Sequence, residues 1–175
     1  MRLVPIAAAA ALAFAPSIQA QTYPTKPLRL IVGFTPGGGV DINARMLSPK
    51  LTEYLGQQVI VENRPGAGTN IANELVAKSA PDGYTLLINT AALVINMALY
   101  SKLSYDAKDL AGVSIFSMSP NIMVVHSSVP VKTVKDLVAL ARSRPGGLNY
   151  SSSGAGTTQH LSGELFNVRN KVKMV

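Results

Sequence analysis

The sequence predicts an α/β fold built on mainly parallel sheets. Three observations carry that prediction. Short apolar runs rich in β-formers occur at 28–34, 58–62 and 84–89, and none alternates apolar with polar as a half-exposed strand would. Helical spacing lies between them, so the order is strand, helix, strand, helix, strand. The first run also ends in a bend of proline and glycines directly before a helix, and the same device returns at 151–160.

Leu28 to Phe34 (L-R-L-I-V-G-F) reads as a buried strand ended by Pro36 and Gly37. Asp41 to Leu55 carries apolar residues at Ile42, Met46, Leu47, Leu51 and Leu55, which is helical spacing, and Gly56 is its stop. Gln58 to Glu62 is the second strand, and Asn63 to Gly68 is a loop. A short helix runs from Asn70 to Lys78 and ends before the turn Pro81-Asp82-Gly83. Tyr84 to Asn89 is the third strand. Two strand-like runs, A-G-V-S-I-F-S-M and N-I-M-V-V-H, then flank Ser119-Pro120. Thr133 to Ser143 reads as a helix whose Thr133/Asp136 start is close to a capping box, with Asp in place of Glu. Leu148 to Ser151 reads as a short strand, followed by the second glycine loop and a helix through Phe166.

Residues 1–20 stand apart. Arg2 is their only charge, Leu3 to Phe14 is short and apolar, and Ser17-Ile18-Gln19-Ala20 supplies small residues. That is a secretory leader cleaved near Ala20, and it is shorter than the roughly 20 apolar residues of a membrane span. The sequence has no cysteine, so an oxidising compartment neither helps nor threatens it. The net charge of +7 comes from scattered lysines and arginines, clustered only at Arg169, Lys171 and Lys173. No aromatic residues interleave with a basic run to make a stacking surface, which argues against a nucleic-acid partner. A mild positive field suits anionic solutes.

The glycine loops carry the chemistry. Glycines after a strand let main-chain N–H groups approach a ligand, and the next helix aims its unsatisfied N–H groups at the same spot. Carboxylate and phosphate are natural guests there, and an ordinary tight turn is the plain alternative. A dinucleotide fingerprint fails, because Gly37 and Gly39 would need a third glycine where Ile42 stands. A hydrolase would have to use Ser153 with His160, yet Ser153-Gly154-Ala155-Gly156 is not the nucleophile-elbow pattern. His126 and His160 have no metal-site spacing, so neither metal nor cofactor is expected. His160, in the first turn of its helix, could donate to a ligand or serve packing. Asp41 could cap its own helix or accept a hydrogen bond from a ligand.

Several long stretches in order make the chain recognisable. They are Y-P-T-K-P-L-R-L-I-V-G-F-T-P-G-G-G-V-D (23–41), L-G-Q-Q-V-I-V-E-N-R-P-G-A-G (55–68), A-P-D-G-Y-T-L-L (80–87), V-P-V-K-T-V-K-D-L (129–137) and L-N-Y-S-S-S-G-A-G-T-T-Q-H-L-S-G-E-L-F (148–166). With them the sequence resembles the Bug-type solute receptors of tripartite tricarboxylate transport systems. The resemblance implies a periplasmic-binding-protein-like fold of two α/β lobes that close by hinge motion on a small carboxylate delivered to membrane transporter subunits. It places residues 21–117 in lobe one and 118–175 in an incomplete lobe two, since family members run to roughly double this size.

Carried over residue by residue, the resemblance implies that Thr35, Pro36, Gly37, Gly38, Gly39 and Asp41 face the ligand, with Phe34 in an apolar wall. Ala67, Thr69, Asn70, Asn89 and Thr90 would line lobe one, and Ser153, Gly154, Gly156, Thr157 and His160 would clamp from lobe two. Departures from the family pattern are Val40, where threonine is frequent, and Thr69 and Ala72, where glycines are frequent. A bulkier Thr69 would narrow the cleft or add a hydroxyl. The expected function is therefore extracytoplasmic capture of a small organic anion, not catalysis. The competing readings are a secreted serine hydrolase using Ser153 and His160, or a nonfunctional truncated remnant.

Overall fold

The structure is a computed structural model that describes residues 23–175, so the predicted leader lies outside the described residues. Its centre is a three-stranded parallel sheet in the order β2–β1–β3, with β1 at Leu28–Val32, β2 at Val59–Asn63 and β3 at Thr85–Ile88. The middle strand explains the absence of alternation in its sequence. Leu28, Leu30, Ile31 and Val32 are all fully buried because both faces are covered.

Helix α1 (Gly39–Leu55) covers one face, with Ala44, Leu51 and Leu55 packed on Leu28, Leu30, Val32 and Val59. It stops at Gly56, whose left-handed backbone returns its N–H to the Thr52 carbonyl. Helix α2 (Asn70–Ala77) packs on β1 and β3, bringing Ala72 against Gly33 on the opposite face. The chain thus leaves β1 in one direction to form β2 and crosses back to form β3. The crevice between β1 and β3 at their C-terminal ends is the topological switch point of the sheet, where open α/β sheets bind ligands.

Helix α3 (Ala92–Leu99) has no sequence signal of its own, because A-L-V-I-N-M-A-L is apolar nearly all round and shows no periodicity. Helix α4 (Val134–Ser143) opens with a complete capping box: Thr133 Oγ1 accepts from Asp136 N at 3.2 Å, and the Asp136 carboxylate accepts from Thr133 N at 2.9 Å. Aspartate therefore serves where glutamate is usual. Helix α5 (Thr158–Asn170) runs four residues past the predicted end at Phe166.

The strand expectations after residue 110 differ from the structure. The runs at 111–118 and 121–126 are extended but belong to no sheet, and their apolar side chains are exposed, Val113 at 89% and Met118 at 88%. Among the described residues no neighbouring backbone pairs with them. Leu148 to Ser151 likewise forms no assigned strand, yet Val175 N donates to the Leu148 carbonyl at 2.9 Å and Tyr150 N to the Val175 carbonyl at 2.7 Å. Those two bonds, flanking Asn149, are one rung of a parallel ladder.

An ion pair ties β1 to β2. Arg29 on β1 grips both carboxylate oxygens of Glu62 on β2, Nε at 2.7 Å and Nη2 at 2.9 Å. Arg64 adds a third donor at 3.2 Å. The Arg29 hydrogen bonds, first of all, hold the Glu62 carboxyl at about 2, against an ordinary 4.5. A carboxyl that is more acidic in the folded chain stabilises the fold fully above its unfolded value, and that stabilisation is lost as pH falls toward the folded one. Unfolding followed by circular dichroism should show the parent losing stability between pH 4.5 and 2 by about 1 kcal/mol more than Glu62→Gln. Parallel pH profiles for the two proteins would contradict this.

Candidate functional site

The first glycine loop leaves β1 at Gly33 and enters α1 at Gly39. Gly38 is the N-cap residue and offers no side chain to the helix. Asp41 is therefore not the N-cap that the sequence suggested, because α1 starts two residues earlier than the apolar spacing implied. It stands at the third helical position and folds back beneath the loop, only 2% exposed. Its carboxylate accepts from Gly37 N at 2.8 Å, from Asn63 Nδ2 at 2.9 Å and from Arg45 Nε at 3.0 Å. Asn63 also donates to the Phe34 carbonyl at 3.1 Å, so one side chain of β2 fixes both ends of the bend. Arg45, then Gly37 N–H and Asn63, hold the Asp41 carboxyl at about 2, against an ordinary 3.8.

With Asp41 engaged below, the N–H groups of Gly39 and Val40 have no acceptor among the described residues, and both residues line a cavity. The positive end of α1 therefore opens onto this space. A second wall comes from the 3₁₀ turn Ala67–Thr69, where three successive residues have positive φ: Ala67 at 48°, Gly68 at 62° and Thr69 at 80°. For a β-branched residue such as Thr69 that is a strained conformation, which persists only where the surroundings fix it. Here Thr69 is buried against Gly33, and its hydroxyl accepts from Asn73 Nδ2 at 3.3 Å.

The second glycine loop forms the facing wall. Thr157 caps α5, its Oγ1 accepting from His160 N at 3.4 Å and donating to the Gly154 carbonyl at 2.7 Å. This loop touches the 67–69 turn and α3. A Cβ on Gly68 would run into the Ala155 carbonyl oxygen, and a Cβ on Gly156 would run into Oδ1 of Asn96. Glycine at both positions is thus required by close approach as well as by positive φ.

Between these walls, at the sheet's switch point, lies a cavity of about 1420 Å³. That exceeds the roughly 300–1,000 Å³ of small-ligand sites, so a small guest fills only part of it. From the end of β1, Phe34, Thr35, Gly38 and Gly39 line it; from the middle of the chain Ala67, Thr69, Asn89 and Thr90 do; from the second loop Ser153 and Gly154 do. Pro36, Gly37, Asp41, Asn70, Gly156, Thr157 and His160 are not part of the lining; Pro36 and Gly37 are exposed at the bend, and Asp41, Gly156 and Thr157 are buried. Asn70 joins a buried polar cluster, and His160 Nδ1 takes the Gly156 N–H at 3.4 Å. No hydrogen bond joins Ser153 to His160 among the described residues.

Lining residues that the sequence reading passed over come from several places. Val40 and Asn43 follow the first loop, and Thr158 and Gln159 open α5. The extended stretch 114–119 adds Ile115, Phe116 and Met118, which read only as strand. Position in the first turn of a helix was the available signal for Val40, Thr158 and Gln159. No lining residue carries a formal charge. An anion placed here meets main-chain N–H groups, hydroxyls and amides over an apolar floor. Among the described residues no group of three or more His, Cys, Asp or Glu could hold a metal, and no helix is long and apolar enough to cross a membrane.

A parallel α/β layer with glycine loops converging on one cavity at its switch point defines a ligand-binding α/β protein. Comparison with known proteins gives the family: residues 43–175 match the model described as the tripartite tricarboxylate transporter family receptor, and the chain belongs to that family. It is similar to protein BugT of Bordetella pertussis, 38% identical over 155 residues, which are 87% of this chain and 48% of that one. Among solved structures it is similar to Rpa4515 of R. palustris with adipate, at 36% identity and a TM-score of 0.78, covering 87% of this chain and 52% of that one. It is also similar to MatC (Rpa3494) of Rhodopseudomonas palustris with bound malate, at 29% identity and a TM-score of 0.81, covering 87% of this chain and 53% of that one. The chain spans about half the length of the relatives it matches. The fold is periplasmic-binding-protein-like, for the chain is similar also to the structure of periplasmic binding protein BugD, at 27% identity and a TM-score of 0.73.

The Asp41 anchor makes a direct prediction. In a carbon-detected NMR titration the Asp41 carboxyl should reach its midpoint at about pH 2, and Arg45→Ala should raise that midpoint. A parent midpoint near the ordinary 3.8 would show that the bend is not held in this way.

Proposed function

We propose that this chain is the ligand-capturing receptor of a tripartite tricarboxylate-type transport system and that it takes a small organic carboxylate. The observation that carries the reading is the uncharged cavity flanked by the N-termini of α1 and α5, with the Gly39 and Val40 N–H groups free to donate. Such a site holds an acid through oriented main-chain donors and helix dipoles, and it needs no arginine clamp. Family membership supports this, as do the two similar structures, whose guests are the dicarboxylates adipate and malate. The same membership favours a receptor over a hydrolase built on Ser153.

In this reading residues 1–20 direct export and are removed near Ala20, the receptor works in the periplasm, and membrane subunits of the transporter are its partners. Residues 21–117 form the first lobe and 118–175 contribute to the second, with the cavity between them. The exposed apolar runs at 111–126 support that division, for they have the composition of central strands and stand without neighbours.

Isothermal titration with adipate and with malate tests the proposal. The 175-residue chain should bind at least about 100-fold more weakly than a relative of full length, a difference of about 2.8 kcal/mol. Sub-micromolar binding by the monomeric chain would contradict the two-lobe division. Turnover of an ester substrate that disappears in Ser153→Ala would contradict the receptor reading itself.

A further inference from the structure

Behind the cavity wall, five polar side chains form one hydrogen-bonded file. Asn89, which lines the cavity after β3, donates to Oδ1 of Asn73 on α2. Asn73 donates in turn to the Tyr105 hydroxyl at 2.8 Å, and Tyr105 donates to Oδ1 of Asn70 at 2.7 Å. The same Asn70 oxygen accepts from Nδ2 of Asn96 on α3 at 3.0 Å. Asn96 Nδ2 also donates to the carbonyl of Gly68, in the strained turn, at 2.6 Å.

Asn73 and Asn96 have no exposed surface. Buried amides are tolerated when each polar atom finds a partner, and one here does not. Oδ1 of Asn96 is buried without a hydrogen bond among the described residues. That oxygen rests against the Cα of Gly156, so closely that only glycine fits. Across the same seam the Ala155 carbonyl oxygen abuts Gly68, whose own carbonyl Asn96 holds.

We propose that Asn96 is the positioning residue that seats the second glycine loop on the strained turn at 67–69 and so sets the width of the cavity. Its donor end fixes the Gly68 peptide, and its acceptor end is the surface on which Gly156 rests. An orphaned buried carbonyl is unfavourable by itself, and the close seam is the contact that keeps it in place. A shift at Asn96 also reaches the ligand wall, because Asn70, Tyr105 and Asn73 connect it to Asn89. The inference rests on the reading of this cavity as the ligand site.

Its test needs no ligand. The sequence is free of cysteine, so nitroxides can be placed at Lys50→Cys on α1 and Arg169→Cys on α5, both exposed, and electron–electron distance spectroscopy then reads the separation of the two walls. The parent should give one narrow distribution. Asn96→Ala and Gly156→Ala should each broaden and displace it. Single-variant distributions superimposable on the parent would overturn the proposal. Should Asn96→Ala fail to fold, Asn96→Ser, which keeps a small neutral polar side chain and leaves the backbone at 156 unstrained, decides alone. Millimolar adipate or malate added to the labelled parent tests the ligand reading separately: no response to either acid contradicts that reading, while the variants still judge Asn96.

Discussion

The site depends on a carboxylate that never faces it. Asp41 lies under the bend that follows β1, takes the Gly37 N–H and is neutralised by Arg45. Without it, the bend of bare backbone would have few internal partners, and the first turn of α1 would be free to fray or to close on itself. With it, the loop is tied from below by α1 and by Asn63 of β2, and the unpaired N–H groups of Gly39 and Val40 are left to the cavity side. A charge kept on the inner side of the helix terminus holds the loop without repelling an anion from the other side.

The second loop is placed by a different means. Among the described residues no ion pair reaches across here. Backbone meets backbone at Gly68 and Ala155, and amide meets backbone at Asn96 and Gly156. Such contacts are short-ranged and steep, so they fix a spacing sharply but contribute little attraction. The strained left-handed turn at 67–69 is the element they act on, and the buried Asn and Tyr side chains are what hold it there. The two walls thus combine a rigid electrostatic anchor with a steric seam. A receptor that opens and closes has use for that division, because the seam can part while the anchor persists.

Much of the first layer was legible in the sequence. Unbroken apolar runs gave β1, β2 and β3, although only the central β1 is covered on both faces and β2 leaves Ile60 exposed, and Gly56 marked the end of α1. The Thr133/Asp136 start of α4 was readable because capping is local chemistry. The runs at 111–118 and 121–126 read as strand-like, yet they join no sheet, because pairing is a property of neighbours and the sequence of one segment does not contain them. α3 was missed since an all-round apolar helix has no period to detect. The glycine loops pointed to the site, but Asp41 did not reveal on which side of the loop it lies. The Arg45 partner at i+4 was the available sign. The file from Asn89 to Asn96 was invisible, because its members are single polar residues spread over some of the least patterned parts of the chain.

The central claim is that an acid is held here by main-chain N–H groups at two helix N-termini. Amide NMR of the ¹⁵N-labelled chain during titration with adipate or malate to millimolar concentration tests it most directly. The account predicts that the largest shifts fall on Gly39, Val40, Thr158 and Gln159, on both sides of the cavity. Acid-dependent shifts confined to the lysine- and arginine-rich surface at 169–173, with those four amides unmoved, would contradict it.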